Sequence, residues 1–282
     1  MAFSYQSLKR LTGNSFLSET ISTANLANTT VDTGTIANNA VTADKLANSS
    51  VNVTTNVVTG TLPISKGGLG TSSFSGANQA ITSNGSGLST TPHGIYGMQV
   101  WTSSGTWSRP GNVRYIKVQV QASGGGASGH GESGGSGGYS ERILSVTGIS
   151  SVSISISGEG SGTYYSGAGG NAGGTSFGNY CSASGGYGAN RNNQHSGGLG
   201  GVGSGGTLNI YGGGGQPHHT RSSVGGQNFW GGAVAAGHPQ GGHFSHRHES
   251  HASPGAGGSG GYFTGHRGAN GRNGMVVVVM YY

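Results

Sequence analysis

The sequence predicts a mainly β protein, an elongated homotrimeric fibre. A repeat shaft leads into a C-terminal β body that carries glycine-rich loops or polyglycine-II-like segments. Three observations predict it. Apolar residues recur every five positions between residues 21 and 60. Several later stretches alternate apolar and polar residues with a period of two. Glycine, 62 of 282 residues, is concentrated between those alternating stretches.

The first element, 1–20, contains FSYQSLKRL, with Phe3, Leu8 and Leu11 near helical spacing. So short a segment does not bury itself alone, and it reads as a docking element for a larger body. The second, 21–60, holds Ile21, Leu26, Val31, Ile36, Val41, Leu46 and Val51, inside the ten-residue units LANTTVDTGT, IANNAVTADK and LANSSVNVTT. On an α-helix a step of five turns the apolar position by ~140°, so no face forms. On a straight strand an odd step alternates faces. Short extended pieces joined by turns fit the period, with Asn and Thr suited to the turns. One such unit leaves its apolar residues exposed, and winding with other copies buries them. A trimer is the simplest way to surround one apolar residue per level.

The third element, 61–95, is a Gly/Ser-rich joint. The fourth, 96–282, is the β body. VRYIKVQVQ alternates Ile116, Val118 and Val120 against Lys117, Gln119 and Gln121, and SVSISIS alternates Val152, Ile154 and Ile156 against serines. YSERILSV and the closing MVVVVMYY add two strands, the last apolar on both faces and so expected to be central and buried. Between the strands, glycine falls at period three: Gly197, Gly200, Gly203 and Gly206, then Gly265, Gly268, Gly271 and Gly274. Three residues per turn is the period of the polyproline II helix, and such helices without side chains pack by backbone contact. Free loops are the alternative.

Composition excludes several classes. Charged residues are 7% of the chain, against roughly 25% in an ordinary soluble domain. No long Gly-x-y run with Pro supports collagen. The one cysteine, Cys181, permits no intrachain disulfide. Lys9 and Arg10 have no apolar run after them, so no secretory leader is expected. The apolar run at 275–282 is far short of the ~20 residues of a membrane helix. A net charge of +6 favours an acidic partner such as a phosphate-bearing or uronic polysaccharide. The basic residues are scattered, so no nucleic-acid partner is expected.

The residues resemble bacteriophage tail fibres. VTADKLANSSV is similar to fibre shaft repeats. GTLPISKGGLGTSS with NQAITSNGSGL resembles a linker of such fibres, with Leu69 where Thr is usual. SGTWSRPGNVRYIKVQVQASGGG resembles the opening of a glycine-rich tail-fibre domain, in which Trp107, Pro110 and Val113 take the pattern's places and Asn112 separates Gly111 from Val113. The glycine-rich portion is also similar to distal adhesins in which glycine helices support variable tip loops. The resemblance implies a virion-located homotrimer. Residues 1–20 would join a tail or baseplate protein, and 96–282 would bind a host surface glycan or outer-membrane protein.

Catalysis is not expected. The acids of the body are Glu132, Glu141, Glu159 and Glu249, with no Asp, whereas a depolymerase working as a glycosidase needs two carboxylates across a cleft. GESGG at 131–135 matches Gly-x-Ser-x-Gly without the strand and helix of a nucleophile elbow. GGGASG at 124–129 matches Gly-x-Gly-x-x-Gly without a following helix. What remains is a surface of aromatic and basic residues set in glycine: Tyr164 with Tyr165, Phe229 with Trp230, and His243 with Phe244 as receptor contacts, with Phe229 and Trp230 expected to be the most exposed. Five of eleven histidines fall in His238–His251. They read either as a titratable loop contacting receptor, or as His246 and His248 from three copies holding one axial transition metal. A purely structural virion fibre is the other function class.

Overall fold

The computed structural model describes residues 79–83, 88–164, 167–190, 195–217, 223–232, 252–261 and 267–282. The docking segment 1–20 and the shaft 21–60 lie outside the described residues. The body belongs to one compact unit, Leu69–Tyr282.

The described residues form twelve strands, in chain order β1 (Gln79–Ser83), β2 (Leu88–Pro92), β3 (Ile95–Trp101), β4 (Gly105–Ser108), β5 (Tyr115–Gln121), β6 (Tyr139–Ser145), β7 (Ser151–Ile156), β8 (Thr175–Phe177), β9 (Cys181–Ala183), β10 (Gly203–Ser204), β11 (Leu208–Ile210) and β12 (Met275–Tyr281). No α-helix occurs among the described residues. β1 and β2 form an antiparallel hairpin inside the 61–95 joint. The other strands make two antiparallel five-stranded sheets, ordered β11-β6-β5-β12-β3 and β10-β9-β8-β7-β4. Their facing sides enclose the core. Ile116, Val118 and Val120 of β5, Val276 and Val278 of β12, and Trp107 of β4 are fully buried, with Val152 and Ile154 of β7 nearly so. The predicted alternation sorts core from surface in β7, whereas in β5 it separates apolar from polar side chains but Gln119 and Gln121 are buried as well. Trp107 packs on Phe177 at 5.9 Å between ring centroids.

β12 is central, as its all-apolar sequence requires. Val276, Val278 and Met280 face the core, and on the other side Val277 is buried while Val279 and Tyr281 are half-buried, so burial of the outer face is partial.

The glycine between the strands is a second packed body. Ten segments continue the strands or lie beside them: I (123–128), II (133–138), III (158–163), IV (168–174), V (184–190), VI (196–202), VII (212–217), VIII (223–227), IX (255–261) and X (267–274). They bond to one another rather than to themselves. In segment II the N–H groups of Ser133, Gly134 and Gly135 donate to Gln216 of VII, Gly258 of IX and Tyr187 of V. The next three, Ser136, Gly137 and Gly138, donate to Gly213, Gly255 and Ser184, returning to the same neighbours in the same order. That is the signature of a three-residue turn with no internal bonds, the polyproline II type. The carbonyls of Ser133, Gly134 and Gly135 accept from Gly198 of VI, Gly226 of VIII and Gly125 of I. Segment II thus has six neighbours. Segment I does too: it bonds to II, III, IV, V, IX and X. The result is a hexagonal array in three layers, IV-V-VI over III-I-II-VII over X-IX-VIII.

Backbone contact this close excludes side chains. A Cβ on Gly134 would lie 2.1 Å from the Gly125 carbonyl oxygen. A rim segment touches neighbours on two of its three faces, so the sequence shows paired glycines with an outward third residue. In GGLGGV of segment VI the glycines pack, whereas Leu199 and Val202 point out. The period-three glycines read from sequence follow this rule at Gly197, Gly200, Gly268, Gly271 and Gly274. Gly203 belongs to β10 and Gly206 to the turn after it, and Gly265 lies outside the described residues.

Candidate functional site

The array has two unlike ends. β5 runs into segment I, and segment II returns as β6. The same holds for β7-III and IV-β8, and for β9-V and VI-β10. The strand end is therefore where chain enters and leaves the sandwich. At the other end, the remote end, segments I, III, V, VII and IX finish and segments II, IV, VI, VIII and X begin.

Tyr164 sits at the remote end, at the close of segment III. It is exposed and forms an isolated bridge with Arg267, whose guanidinium carbon lies 5.6 Å from the ring centroid. Arg267 also donates from Nε to the Gly162 carbonyl at 3.3 Å. Tyr165 lies outside the described residues.

Beside it the I-to-II connection carries a cluster that sequence reasoning did not single out. Glu132 is fully buried. One carboxylate oxygen accepts from the Ser128 hydroxyl. The other is 3.0 Å from Nδ1 of His195, at the V-to-VI connection. His195 has φ 44°, the left-handed region that few non-glycine residues adopt. The carboxylate lies between serine and histidine, so the imidazole is not placed to take a proton from Ser128. The hydroxyl of Ser133, the serine of GESGG, is buried inside segment II, 2.5 Å from the Ser223 hydroxyl. It offers no exposed nucleophile. In GGGASG every N–H from Gly124 to Ser128 is bonded to a backbone carbonyl, which leaves no cradle for a phosphate. Glu132 had one sequence signal, a lone acid in a Gly/Ser run. Its partner His195 is 63 residues away, so only folding pairs them.

Phe229 and Trp230 are not at this end. Segment VIII runs back toward the strands, and the pair follows it onto Tyr139, the first residue of β6. Phe229 stacks on Tyr139 at 4.0 Å and 18°, and Trp230 meets Tyr139 edge-on at 6.2 Å. Asn228 shapes the turn. Its Oδ1 accepts from the N–H groups of Trp230 and Gly231 and from the Ser253 hydroxyl. Tyr139 is sealed beneath, while Phe229 and Trp230 remain 47% and 38% exposed. Tyr139 donates to Glu141 at 2.8 Å, and Gln119 donates to both. Burial, reinforced by the Glu141 hydrogen bond, pushes the Tyr139 phenol well up. Burial also pushes the Glu141 carboxyl up. The hydrogen bonds from Tyr139 and Gln119, with the Lys117 charge 3.4 Å away, outweigh that and hold it below its ordinary value.

The structure therefore separates the predicted contacts, with Tyr164 at the remote end and Phe229 and Trp230 at the strand end. His243, Phe244, His246 and His248 lie outside the described residues. Among the described residues no group of three or more metal-ligating side chains occurs. Cys181 is buried, which pushes its thiol up. No described helix is long and apolar enough to cross a membrane. Compared with known proteins, the chain matches no family model and no curated sequence.

Proposed function

We propose that this chain is a bacteriophage tail fibre that attaches the virion to the host cell surface through its glycine-rich body, without catalysis. In this reading the shaft 21–60 gathers three copies, and 1–20 joins a tail or baseplate protein. One observation carries the attachment role: five segments of the three-layer array finish, and five begin, at its remote end. Segments each bonded to several neighbours hold the ends of the array rigidly, and loops on a rigid frame are where recognition concentrates. Tyr164 with Arg267 supplies an aromatic face and a cation at that end, chemistry that fits an acidic sugar or a protein rim. The order of shaft repeat, linker and glycine-rich opening in the sequence supports the same reading.

The histidines of 238–251 act, in this proposal, as a titratable contact surface. Elemental analysis of the purified protein checks it. About one transition metal per three chains, lost in H246A/H248A, would assign these residues to an axial site instead.

The attachment test uses the full chain, labelled and presented to a panel of bacterial cells. Replacing 191–194 and 262–266 by Gly/Ser of equal length should abolish binding without changing the melting temperature. Retained binding would remove the remote end from the reading. A chain that assembles into virions yet binds no cell would favour the purely structural fibre.

A further inference from the structure

The array has three layers and the sandwich has two, and the difference leaves a face bare. Segments VIII and IX, in the third layer, stop where Phe229 and Trp230 cover Tyr139. Past that point the outer face of the β3-containing sheet continues without cover among the described residues. Its outward residues are apolar: Ile95, Met98 and Val100 on β3, Tyr115 on β5 and Ile143 on β6 are 50–65% exposed. The register sets them around the half-buried Val279, with Met98 opposite it on β3 and Lys117 opposite it on β5, and Ile143 opposite Lys117 on β6. Lys117 and Glu141 are the charges on this face, and they neutralise each other.

The second sheet shows what a solvent face of this protein is made of. Ser151, Ser153 and Ser155 of β7 point outward, with Thr106 opposite Ser153. The two sheets of one sandwich thus carry opposite outward sets, Ser and Thr on one and apolar side chains on the other. Contiguous apolar patches on a protein surface mark interaction sites, which makes this face a candidate for an occupant.

The chain's own connectivity names it. Residues 1–94 reach the body through the β1–β2 hairpin and enter at Ile95, on the edge strand bordering this face. Upstream, Ile21 to Val51 repeat an apolar residue every five positions, a pattern that a single chain leaves exposed. In the oligomer proposed above, each copy's chain continues into its body at Ile95, on the edge strand of the apolar sheet. An uncharged face with an internally paired Lys and Glu suits a like face better than a charged stranger. We propose that this outer sheet face packs against neighbouring copies of this chain, so that the copies are joined body to body as well as along the shaft. The proposal rests on the oligomeric part of the function above.

Cysteine cross-linking of the full chain tests it. Ile143→Cys is compared with Ser153→Cys, the matching outward position on the serine face, under a copper–phenanthroline oxidant. Cys181 is buried and contributes little background. Disulfides form only where Cβ atoms approach to ~4 Å, so about tenfold more covalent dimer is expected from I143C than from S153C. Equal yields from the two variants would overturn the proposal. Sedimentation of the unmodified chain is run alongside. An oligomer with equal yields leaves the shaft reading standing and removes only this face, whereas a monomer removes both. Cell binding by the labelled chain is read separately, so failure of attachment is distinguishable from either. M98E/I143E gives a second measure: bodies that repel should melt without concentration dependence at a temperature below that of the unmodified chain, and an unchanged melt would count against the contact.

Discussion

Glycine in this protein has two meanings that a single substitution separates. Gly134 lies inside the array, where an added Cβ would meet the Gly125 carbonyl oxygen at 2.1 Å and its carbon at 2.5 Å. Both backbones are fixed by their own hydrogen bonds. Gly134→Ala should therefore cost at least the ~3 kcal/mol at the upper end of ordinary overpacking. Gly158, with nothing within 4 Å, should accept Ala within ~1 kcal/mol. Chemical denaturation of the two variants checks the contrast. Glu141 makes a second prediction at this scale. Its carboxyl is held down in the folded chain, so its contribution to stability is present above the ordinary carboxylate value of about 4.3 and is lost as pH falls through the lowered folded value. The melting-temperature gap between the native chain and E141Q should be constant above ~pH 5 and shrink in acid. Tyr139 works in the opposite sense. Its raised folded value keeps the phenol neutral, so stability declines as pH rises past about 10. Y139F should remove that alkaline decline.

At the scale of elements, the turn at 228–231 caps β6 rather than presenting a free loop. The aromatic signal in GGQNFWGGA was legible in the sequence, and its exposure is partial, but its stacking partner was not legible. Tyr139 is ninety residues earlier and becomes its neighbour only because segment VIII runs beside segment II in the same direction, toward the strands. Phe229→Ala should uncover Tyr139 and Gln119 and destabilise the body by about 1–3 kcal/mol, the cost of a lost aromatic stack and its buried area. A thermal melt decides whether the residue is a cap. If adsorption falls while the melt is unchanged, Phe229 is a contact and not a cap.

For the whole molecule, cooperativity follows from the bonding scheme. An α-helix satisfies its own backbone. A segment of this array satisfies none of it alone, and each depends on as many as six neighbours drawn from distant parts of the sequence. Segments I and II, surrounded on all sides, should exchange their amide hydrogens only through global unfolding. Amides at the remote-end connections should exchange faster. Hydrogen exchange with mass spectrometry reads this directly. Protection in 133–138 no greater than in 158–163 would contradict the layered arrangement. Folding dominated by such long-range pairing is expected to be slow.

By itself the sequence determined the β class, the alternating strands β5 and β7, the central position of β12 and the period of the glycine segments, because each is a local signal: side chains alternate across a strand, and a three-residue turn repeats every third residue. Local signals are silent on partners. Whether GGLGGV was a loop or a packed helix depended on carbonyls supplied by segment II and N–H donors supplied by segments V and VII, which no window of sequence contains. The pairing of Glu132 with His195, the separation of Tyr164 from Phe229 and Trp230, and the bare apolar sheet face all depend on which segments become neighbours. Tertiary structure decided them, because in this chain the backbone bonds that hold the array are made between segments and never within one.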